Sequence, residues 1–314
     1  MTAPVFVVGC PRSGTGLLRD LLRSHPNLAF TGESHYIPLY YRAYGDPRSD
    51  REAVALARRI LRVRWVEAWG VGRDPRSFAH HRSFATLVDD LNTTYAASAG
   101  RPRWGDKTPQ YVAAMPTLRE LFPAARFVHI IRDGRDVAQS LLRRPFGPAN
   151  PFTAGRYWRT MVQAGRRDGA TLGEAYTEVR YEELLAEPER VLRAVIEFVG
   201  EPWSDAVLLP VTGRPVDPAR AASWRSGMPP ADRALVESAA GDLLAALGYE
   251  AAGAAGAPEP TDPPAAWRRA VIRADHVARL VRNRLDTREH PAYWRTERDF
   301  RLARLRAAVR GRFG

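Results

Sequence analysis

The stretch VFVVGCPRSGTGLLRDLLRSHP, Val5 to Pro26, predicts the start of an α/β fold. Its first four residues, VFVV, are typical of a short parallel strand that is buried on both faces. Leucines at positions 17, 18, 21 and 22 then share one face of a helix, and Pro26 marks the end of that helix. A strand, a glycine-containing loop and a helix in this order begin a βα unit, whose loop can bind an anion through backbone N–H groups.

The loop from Gly9 to Gly16 departs from the loop that binds nucleoside triphosphates. That loop has the pattern G-x-x-x-x-G-K-[ST], in which a lysine contacts the phosphates and a hydroxyl holds Mg²⁺. Here Gly9 and Gly14 have the required spacing, but Thr15 and Gly16 occupy the lysine and hydroxyl positions. Because transfer of a γ-phosphate needs the metal, the loop suits a less charged sulfuryl group better.

The missing cation has one candidate elsewhere in the chain. Among 47 basic residues, Lys107 in the segment GDKTP is the only lysine. One alternative is that this single lysine remains by chance in an arginine-rich composition. However, a compact ammonium and a planar guanidinium are not interchangeable in a tight site. Thr108 and Pro109 predict that a helix starts directly after it, with Thr108 as the N-cap.

Strands and helices alternate further along the chain. RFVHII, Arg126 to Ile131, predicts a second buried strand, and Asp133 and Gly134 suit a tight turn into the next helix. EVRYEELL predicts a short third strand, followed by a helix broken near Pro188 and a second helix. Helical spacing also predicts a helical cap within about residues 45–100. We therefore expect a P-loop-type, doubly wound parallel sheet flanked by helices, with ligands at the carboxyl ends of the strands.

Composition divides the chain into three parts. Residues 1–250 form the expected α/β core, the low-complexity segment 251–265 predicts a linker, and residues 266–314 predict a basic amphipathic helical tail. The net charge is +12, and the tail alone holds 14 arginines against five acidic residues. This placement argues against a nucleic-acid-binding core. The apolar stripe of the tail needs either the core or a second subunit as its partner, so the tail is a candidate for homo-oligomer contact.

Cysteine content and hydropathy bear on the compartment. Cys10 is the only cysteine, so no intrachain disulfide can form. The chain has no apolar run long enough for a signal-peptide core or a membrane span. We expect a soluble cytoplasmic protein.

Five segments in order resemble the sulfotransferases that use 3′-phosphoadenosine 5′-phosphosulfate (PAPS). They are PRSGTGLLRDLLRSHP with the following GES, then GDKTP, IIRDGRDVAQS, VRYEELL, and SWRSG with LGYE. The likeness is greatest to the tyrosylprotein sulfotransferase branch and its bacterial relatives, and it spans nearly the whole core. It implies in-line transfer of a sulfuryl group to a hydroxyl or phenol without a metal, with release of 3′-phosphoadenosine 5′-phosphate.

The resemblance assigns the binding of the 5′-phosphosulfate to the loop. It implies this role for six consecutive residues: Arg12, Ser13, Gly14, Thr15, Gly16 and Leu17. Gly16 departs from the pattern, because many relatives have threonine or serine there, and one hydroxyl contact to the donor is lost. Lys107 matches the basic residue that meets the bridging and sulfuryl oxygens.

The rest of the donor site lies further along the chain. Arg132 and Ser140 match the pair that holds the 3′-phosphate of the donor. The alternative for Arg132 is a surface salt bridge with Asp133 or Asp136. Two aromatic residues match positions near the nucleotide: Tyr181 and Trp224. For Trp224, which the resemblance places near the adenine, an ordinary core position is an equal alternative.

The resemblance also implies three catalytic residues, Glu33, Lys107 and Arg12. Glu33 in TGESHYIP matches the general base, which must take the proton of the acceptor hydroxyl as the new S–O bond forms. The alternative is a carboxylate that only orients Arg12 or Lys107. His35 is the second candidate for the base, although a lone histidine beside such a loop is more often structural.

Two other classes of function are open to this fold. A P-loop kinase-like phosphotransferase would need a lysine and a metal-binding hydroxyl in the loop, and neither is at the expected position. A non-catalytic nucleotide-binding protein has no need of both Glu33 and Lys107. The acceptor is not readable from the sequence, and a small molecule, a carbohydrate and a peptide tyrosine all fit.

Overall fold

The computed structural model describes residues 3–209, 221–250, 264–286 and 291–313. Within these residues one parallel sheet contains five strands: β1 (Val5–Gly9), β2 (Leu28–Phe30), β3 (Arg103–Asp106), β4 (Arg126–Ile131) and β5 (Tyr176–Arg180). Their order is β2-β3-β1-β4-β5, and all neighbouring pairs are parallel. The expected α/β fold with a parallel sheet is confirmed.

Helices connect the strands and continue beyond the sheet. They are α1 (Thr15–Arg23), α2 (Ile37–Tyr44), α3 (Asp50–Leu61), α4 (Arg64–Glu67), α5 (Phe84–Ser98), α6 (Met115–Leu121), α7 (Gly134–Leu142), α8 (Pro151–Ala170), α9 (Tyr181–Ala186), α10 (Pro188–Val199), α11 (Trp224–Gly227), α12 (Pro230–Ala240), α13 (Leu243–Ala246), α14 (Ala265–Asp286) and α15 (Pro291–Phe313). Short 3₁₀ turns occupy Pro75–Phe78, Pro109–Ala113, Gly173–Ala175 and Asp205–Leu208.

The central strand explains why helices cover both faces of the sheet. Successive side chains of a strand point to opposite faces. Phe6 and Val8 lie in one hydrophobic core with residues of α2, α5, α6 and α8. Val5 and Val7 lie in a second core with residues of α1, α9 and α10. All residues of β1 are buried, as the uninterrupted apolar run predicted.

The sequence predicted three of these strands, and β4 begins and ends as expected at Arg126 and Ile131. It missed β2 and β3. The strand β2 has only three residues, and β3 reads RWGD, with one apolar side chain. Their strand conformation depends on pairing with each other and with β1, so it leaves little periodicity in the sequence.

The cap and the tail are both helical. Helices α3, α4 and α5 lie within the expected cap, residues 45–100. The tail consists of two helices, α14 and α15, and residues 251–263 of the expected linker, 251–265, lie outside the described residues. The domain boundaries stay predictions. In the described part of the chain, no helix is both long and apolar enough to span a bilayer.

The tail packs on the rest of the molecule. In α15, Phe300 and Ala303 are buried, and Phe300 contacts the ring of Tyr40 in α2 at 5.6 Å between centroids. In α14, Asp275 is buried and accepts a hydrogen bond of 2.8 Å from the hydroxyl of Thr153 in α8. The core is therefore the partner of these tail residues.

Candidate active site

The predicted site residues follow strands that are neighbours in the sheet. The strand β1 lies between β3 and β4, with Phe6 opposite Asp106 and Gly9 opposite Ile130. Because the strands are parallel, the segments after β1, β3 and β4 leave the same edge of the sheet side by side. The glycine loop after β1 is thus flanked by Lys107 on one side and the start of α7 on the other.

Two glycines of the loop are required by the backbone and by close neighbours. Gly14 has a φ of +99°, and a Cβ there would lie 2.3 Å from the ring of Tyr181. At Gly9, with a φ of +153°, a Cβ would lie 2.5 Å from the carbonyl oxygen of Ile130. By contrast, a Cβ at Gly16 would meet no atom within 4 Å. The site has room for the missing hydroxyl at position 16, so its absence is not a steric requirement.

Arg12 ties the loop to α7. Its backbone is left-handed, with a φ of +76°, a conformation that costs energy for a residue other than glycine. Its guanidinium Nε donates a hydrogen bond of 3.0 Å to the hydroxyl of Ser140 in α7. Both residues were predicted at the donor site, but nothing in the sequence indicated this contact.

The next loop residues are buried. Ser13 is completely buried, and its hydroxyl has no hydrogen-bond partner in the described residues. Such an unpaired buried hydroxyl costs about 1–3 kcal/mol unless a ligand or water satisfies it. Thr15 at the start of α1 is also buried, whereas Leu17 is partly exposed and packs against the second core. The unpaired hydroxyl and the glycine cradle fit a bound anion.

Glu33 and Lys107 meet because they follow adjacent strands. Glu33 comes three residues after β2, and Lys107 comes directly after β3, which is the neighbour of β2. The Lys107 ammonium lies 2.5 Å from Glu33 Oε1. The side chain of Lys107 is 9% exposed and that of Glu33 is 31% exposed. The contact expected if Glu33 orients Lys107 is therefore present, and it also places the candidate base next to the candidate cation.

Hydrogen bonds join the segment after β2, which contains Glu33, to the segment after β3, which contains Lys107. The N–H of Ser34 donates to the hydroxyl of Thr108 at 2.9 Å, and the Ser34 hydroxyl lies 2.6 Å from that of Tyr111. Both bonds are buried. Pro109–Ala113 forms a 3₁₀ turn. The Thr108 side chain was predicted to cap it, but its hydroxyl instead accepts the hydrogen bond from the N–H of Ser34. The residues next to Glu33 and Lys107 are thus fixed to each other.

His35 holds the other oxygen of the Glu33 carboxylate. Its Nε2 lies 2.8 Å from Glu33 Oε2, and its ring lies 4.3 Å from the ring of Trp65 in α4. Trp65 in turn packs on Phe300 of α15, with the ring centroids 6.0 Å apart. From the sequence, His35 was the second candidate for the base, with a structural role as the more frequent alternative for such a histidine. The segment GESHY offered no signal for this positioning role beyond the short spacing.

The charge state of Glu33 follows from these two contacts. Partial burial tends to raise the pKa of this carboxyl, but the hydrogen bond from His35 and the charge and hydrogen bond of Lys107 outweigh it and lower the pKa to about 2. Glu33 is therefore ionised and able to accept a proton.

Arg132 lies at the end of β4, where its guanidinium has two neighbours. It lies 4.4 Å from the ring centroid of Tyr181 and 3.3 Å from a carboxylate oxygen of Asp136. Of the two alternative partners, Asp136 does form an ion pair with Arg132, but its carboxylate is buried, so this is not the surface salt bridge of the alternative. Ser140, one turn further along α7 than Asp136, belongs to the same side of the site through its bond to Arg12. Binding of a 3′-phosphate by Arg132 and Ser140 stays a prediction.

Trp224 occupies a core position. It is 2% exposed, its indole N–H donates to Asp133 Oδ2 at 3.1 Å, and the Arg135 guanidinium stacks on its ring at 3.8 Å. Its backbone N–H donates to Asp136 at 2.8 Å. This is the core alternative stated for Trp224, and its contact with adenine stays a prediction.

Comparison with known proteins gives one consistent result. The model of the sulfotransferase family matches residues 4–205. The sulfotransferase domain from the curacin biosynthetic pathway has a similar fold, with a TM-score of 0.56 at 21% identity over 80% of this chain and 99% of that domain. The sulfotransferase domain of the Synechococcus PCC 7002 olefin synthase also has a TM-score of 0.56, at 23% identity over 80% of this chain and 97% of that one.

The curated relatives match this chain over only part of their own length. The protein-tyrosine sulfotransferase of Drosophila melanogaster is 27% identical over 212 residues, which are 65% of this chain and 39% of that protein. The nodulation protein NoeE of Sinorhizobium fredii is 29% identical over 287 residues, covering 78% of this chain and 65% of that protein. The chain thus spans less than two thirds of the length of either relative.

Proposed function

This chain belongs to the sulfotransferase family, and from that premise we propose that it transfers a sulfuryl group from PAPS to a hydroxyl or phenol of an acceptor. The observation that carries the proposal is the contact of 2.5 Å between Lys107 and Glu33 beside the glycine loop. It supplies a cation and a base at the edge of the sheet where ligands of such folds bind. The relatives named protein-tyrosine sulfotransferase support the same class of reaction.

The residues of the loop fit the sulfated end of the donor. We assign its binding to Arg12, Ser13, Gly14, Thr15, Gly16 and Leu17. Ser13 offers an unpaired buried hydroxyl, and the Tyr181 ring leaves no room for a side chain at Gly14. Arg132 and Ser140 are assigned to the 3′-phosphate, because a guanidinium and a hydroxyl on the same side of the loop can bind one anion together. Tyr181 packs between Gly14 and Arg132 and fixes both.

Bound PAPS would supply an activated sulfuryl group and a phosphate leaving group. Lys107 then stabilises negative charge that grows during transfer, and a preorganised cation does this more strongly in the transition state than in the ground state. Glu33 accepts the proton of the acceptor hydroxyl. His35 holds the second oxygen of Glu33 and keeps its carboxylate oriented. Arg12 adds positive charge to the loop. We propose that no metal takes part.

The other classes of function explain less of the site. A phosphotransferase of the P-loop kinase type leaves Gly16 unexplained, because the structure has space for a metal-binding hydroxyl there. A non-catalytic nucleotide-binding protein leaves the arrangement of Glu33, His35 and Lys107 without a purpose. The acceptor class stays open among a peptide tyrosine, a carbohydrate and a small molecule. Cytoplasmic location and absence of nucleic-acid binding stay predictions.

The direct test is transfer from labelled PAPS. The protein is incubated with [³⁵S]PAPS and a fractionated extract, and the sulfated product is identified. We expect a labelled product that depends on PAPS and forms in the presence of a metal chelator. Labelling only from [γ-³²P]ATP would instead support the phosphotransferase.

A further inference from the structure

A cavity lies between helix α3 of the cap and helix α15 of the tail. Its volume is about 480 Å³, within the range of small-molecule sites. Eight residues line it: Ala55, Arg58, Arg59, Arg62, Arg295, Arg298, Asp299 and Leu302. Five of these are arginines and one is acidic. None of the residues assigned above to sulfuryl transfer or donor binding lines this cavity.

The two α15 arginines of the cavity have carboxylate neighbours, whereas its other three arginines have none among the described residues. Arg295 lies 3.1 Å from Glu67, and Arg298 lies 3.8 Å from Asp299. Among the residues that the structure describes, no carboxylate is within salt-bridge distance of Arg58 and Arg59 in α3 or of Arg62, its C-cap residue. The cavity wall contributed by α3 thus carries uncompensated positive charge.

The arginines of the cavity repel one another in the protein alone. Arg58 lies in the last turn of α3, Arg62 is the C-cap residue four positions later, and like charges at this spacing repel each other. The arginines of α15 face them across the cavity. Concentrated like charge opposes the close packing of the two helices, and a bound anion removes that repulsion. The Arg59 guanidinium lies 5.2 Å from the Tyr44 ring, which fixes its position without neutralising it.

The lining selects the chemistry of the anion. Guanidinium groups bind phosphate and sulfate through paired N–H donors. No aromatic residue is among the described lining residues, so the cavity offers no surface on which a base can stack. Ala55 and Leu302 supply only a small apolar area. We infer that this cavity is a binding site for a compact anion that carries several phosphate or sulfate groups.

Calorimetry on the full chain tests this inference, with inorganic tripolyphosphate and sucrose octasulfate as separate probes. The variant carries Arg58→Gln and Arg62→Gln, both at exposed positions of the cavity wall. The matched control carries Arg48→Gln and Arg51→Gln, which remove the same charge from exposed positions outside the cavity. Thermal unfolding without probe establishes that both variants fold.

We expect saturable binding to the wild-type chain that weakens as salt is added. Loss of charge-assisted contacts in the cavity variant should raise Kd by about tenfold or more, with little change in the control. Binding of only one probe also supports the site and identifies phosphate or sulfate as its group. Equal loss in both variants, no saturable binding of either probe, or binding of hexaglutamate as tight as that of the probes would overturn the inference.

Discussion

The ammonium of Lys107 lies 2.5 Å from a carboxylate oxygen of Glu33, although 74 positions separate them in the chain. They meet because β2 and β3 are adjacent parallel strands and each residue follows the end of one of them. This contact gives the chain's only lysine a specific place. It also explains how a loop without its own lysine acquires a neighbouring cation.

Glu33→Gln should nearly abolish sulfuryl transfer. The amide keeps the size of the side chain but removes the base, and a general base contributes ~10²- to 10⁴-fold. Binding of 3′-phosphoadenosine 5′-phosphate, measured by calorimetry, should be nearly unchanged. Glu120→Gln, at an exposed position that bonds Tyr41, is the matched control. If Glu33→Gln transfers at a rate close to that of the control, Glu33 only orients Lys107.

Arg132→Ala should weaken binding of nucleotides that have a 3′-phosphate. Loss of a charge-assisted hydrogen bond costs roughly 1.5–3 kcal/mol. Calorimetry with 3′-phosphoadenosine 5′-phosphate and with adenosine 5′-phosphate separates this contact from the rest of the site. Arg166→Ala, which removes a surface ion pair with Glu178, is the control. An equal loss for the two nucleotides would exclude Arg132 from the 3′-phosphate site.

The glycine loop shows how far the sequence predicts this site. The spacing of Gly9 and Gly14 predicted the loop, and β1 and β4 were predictable because most of their residues are apolar. The bond from Arg12 to Ser140 was not predictable, since it joins two segments 128 positions apart through a left-handed backbone at Arg12. Such contacts depend on tertiary packing and leave no local pattern.

Trp224 shows the opposite case, in which one motif fits two roles. The segment SWRSG does not reveal whether its tryptophan faces a ligand or the core. The structure places its ring against Arg135 and its N–H on Asp133. Both partners belong to RDGRD, but only the position of α11 beside α7 brings the two segments together. Short strands such as β3 are unpredictable for the same reason, because partner strands determine them.

Asp106→Asn should stabilise the protein at neutral and alkaline pH. Complete burial raises the pKa of Asp106 from 3.8 to about 6. As the pH rises from about 4 to about 6, the unfolded chain loses this proton before the folded chain does, so the wild type loses stability relative to the asparagine variant. Above about 6 the difference becomes constant at about 3 kcal/mol.

Thermal unfolding of both proteins between pH 4 and pH 8 measures this effect. The variant and the wild type should have similar Tm values near pH 4 and should diverge through the window between the two pKa values. Parallel Tm curves over the whole range would show that Asp106 has the same pKa in the folded and unfolded states.

Phe300→Ala should destabilise the fold and slow transfer. Phe300 is 5% exposed and packs on Tyr40 and Trp65, and Trp65 contacts His35 beside Glu33. Truncation of a buried phenylalanine costs about 3–5 kcal/mol. Tm and the transfer rate should both fall, with donor affinity preserved.

Leu305→Ala is the control for this substitution, because Leu305 lies on the same helix and is 65% exposed. It should leave Tm within the range of ordinary surface changes. Equal Tm values for Phe300→Ala and Leu305→Ala would mean that α15 does not pack on the cap in solution.

The most direct test of the account is the transfer rate of Lys107→Arg. Single-turnover transfer of labelled sulfuryl from PAPS is measured beside donor binding by calorimetry. A guanidinium keeps the charge but cannot occupy the same compact volume against Glu33. We predict that the variant folds, binds donor with affinity close to the wild type, and transfers slower by on the order of 10² or more. Transfer at the wild-type rate would contradict the account, because the cation that completes the loop would then not need to be Lys107.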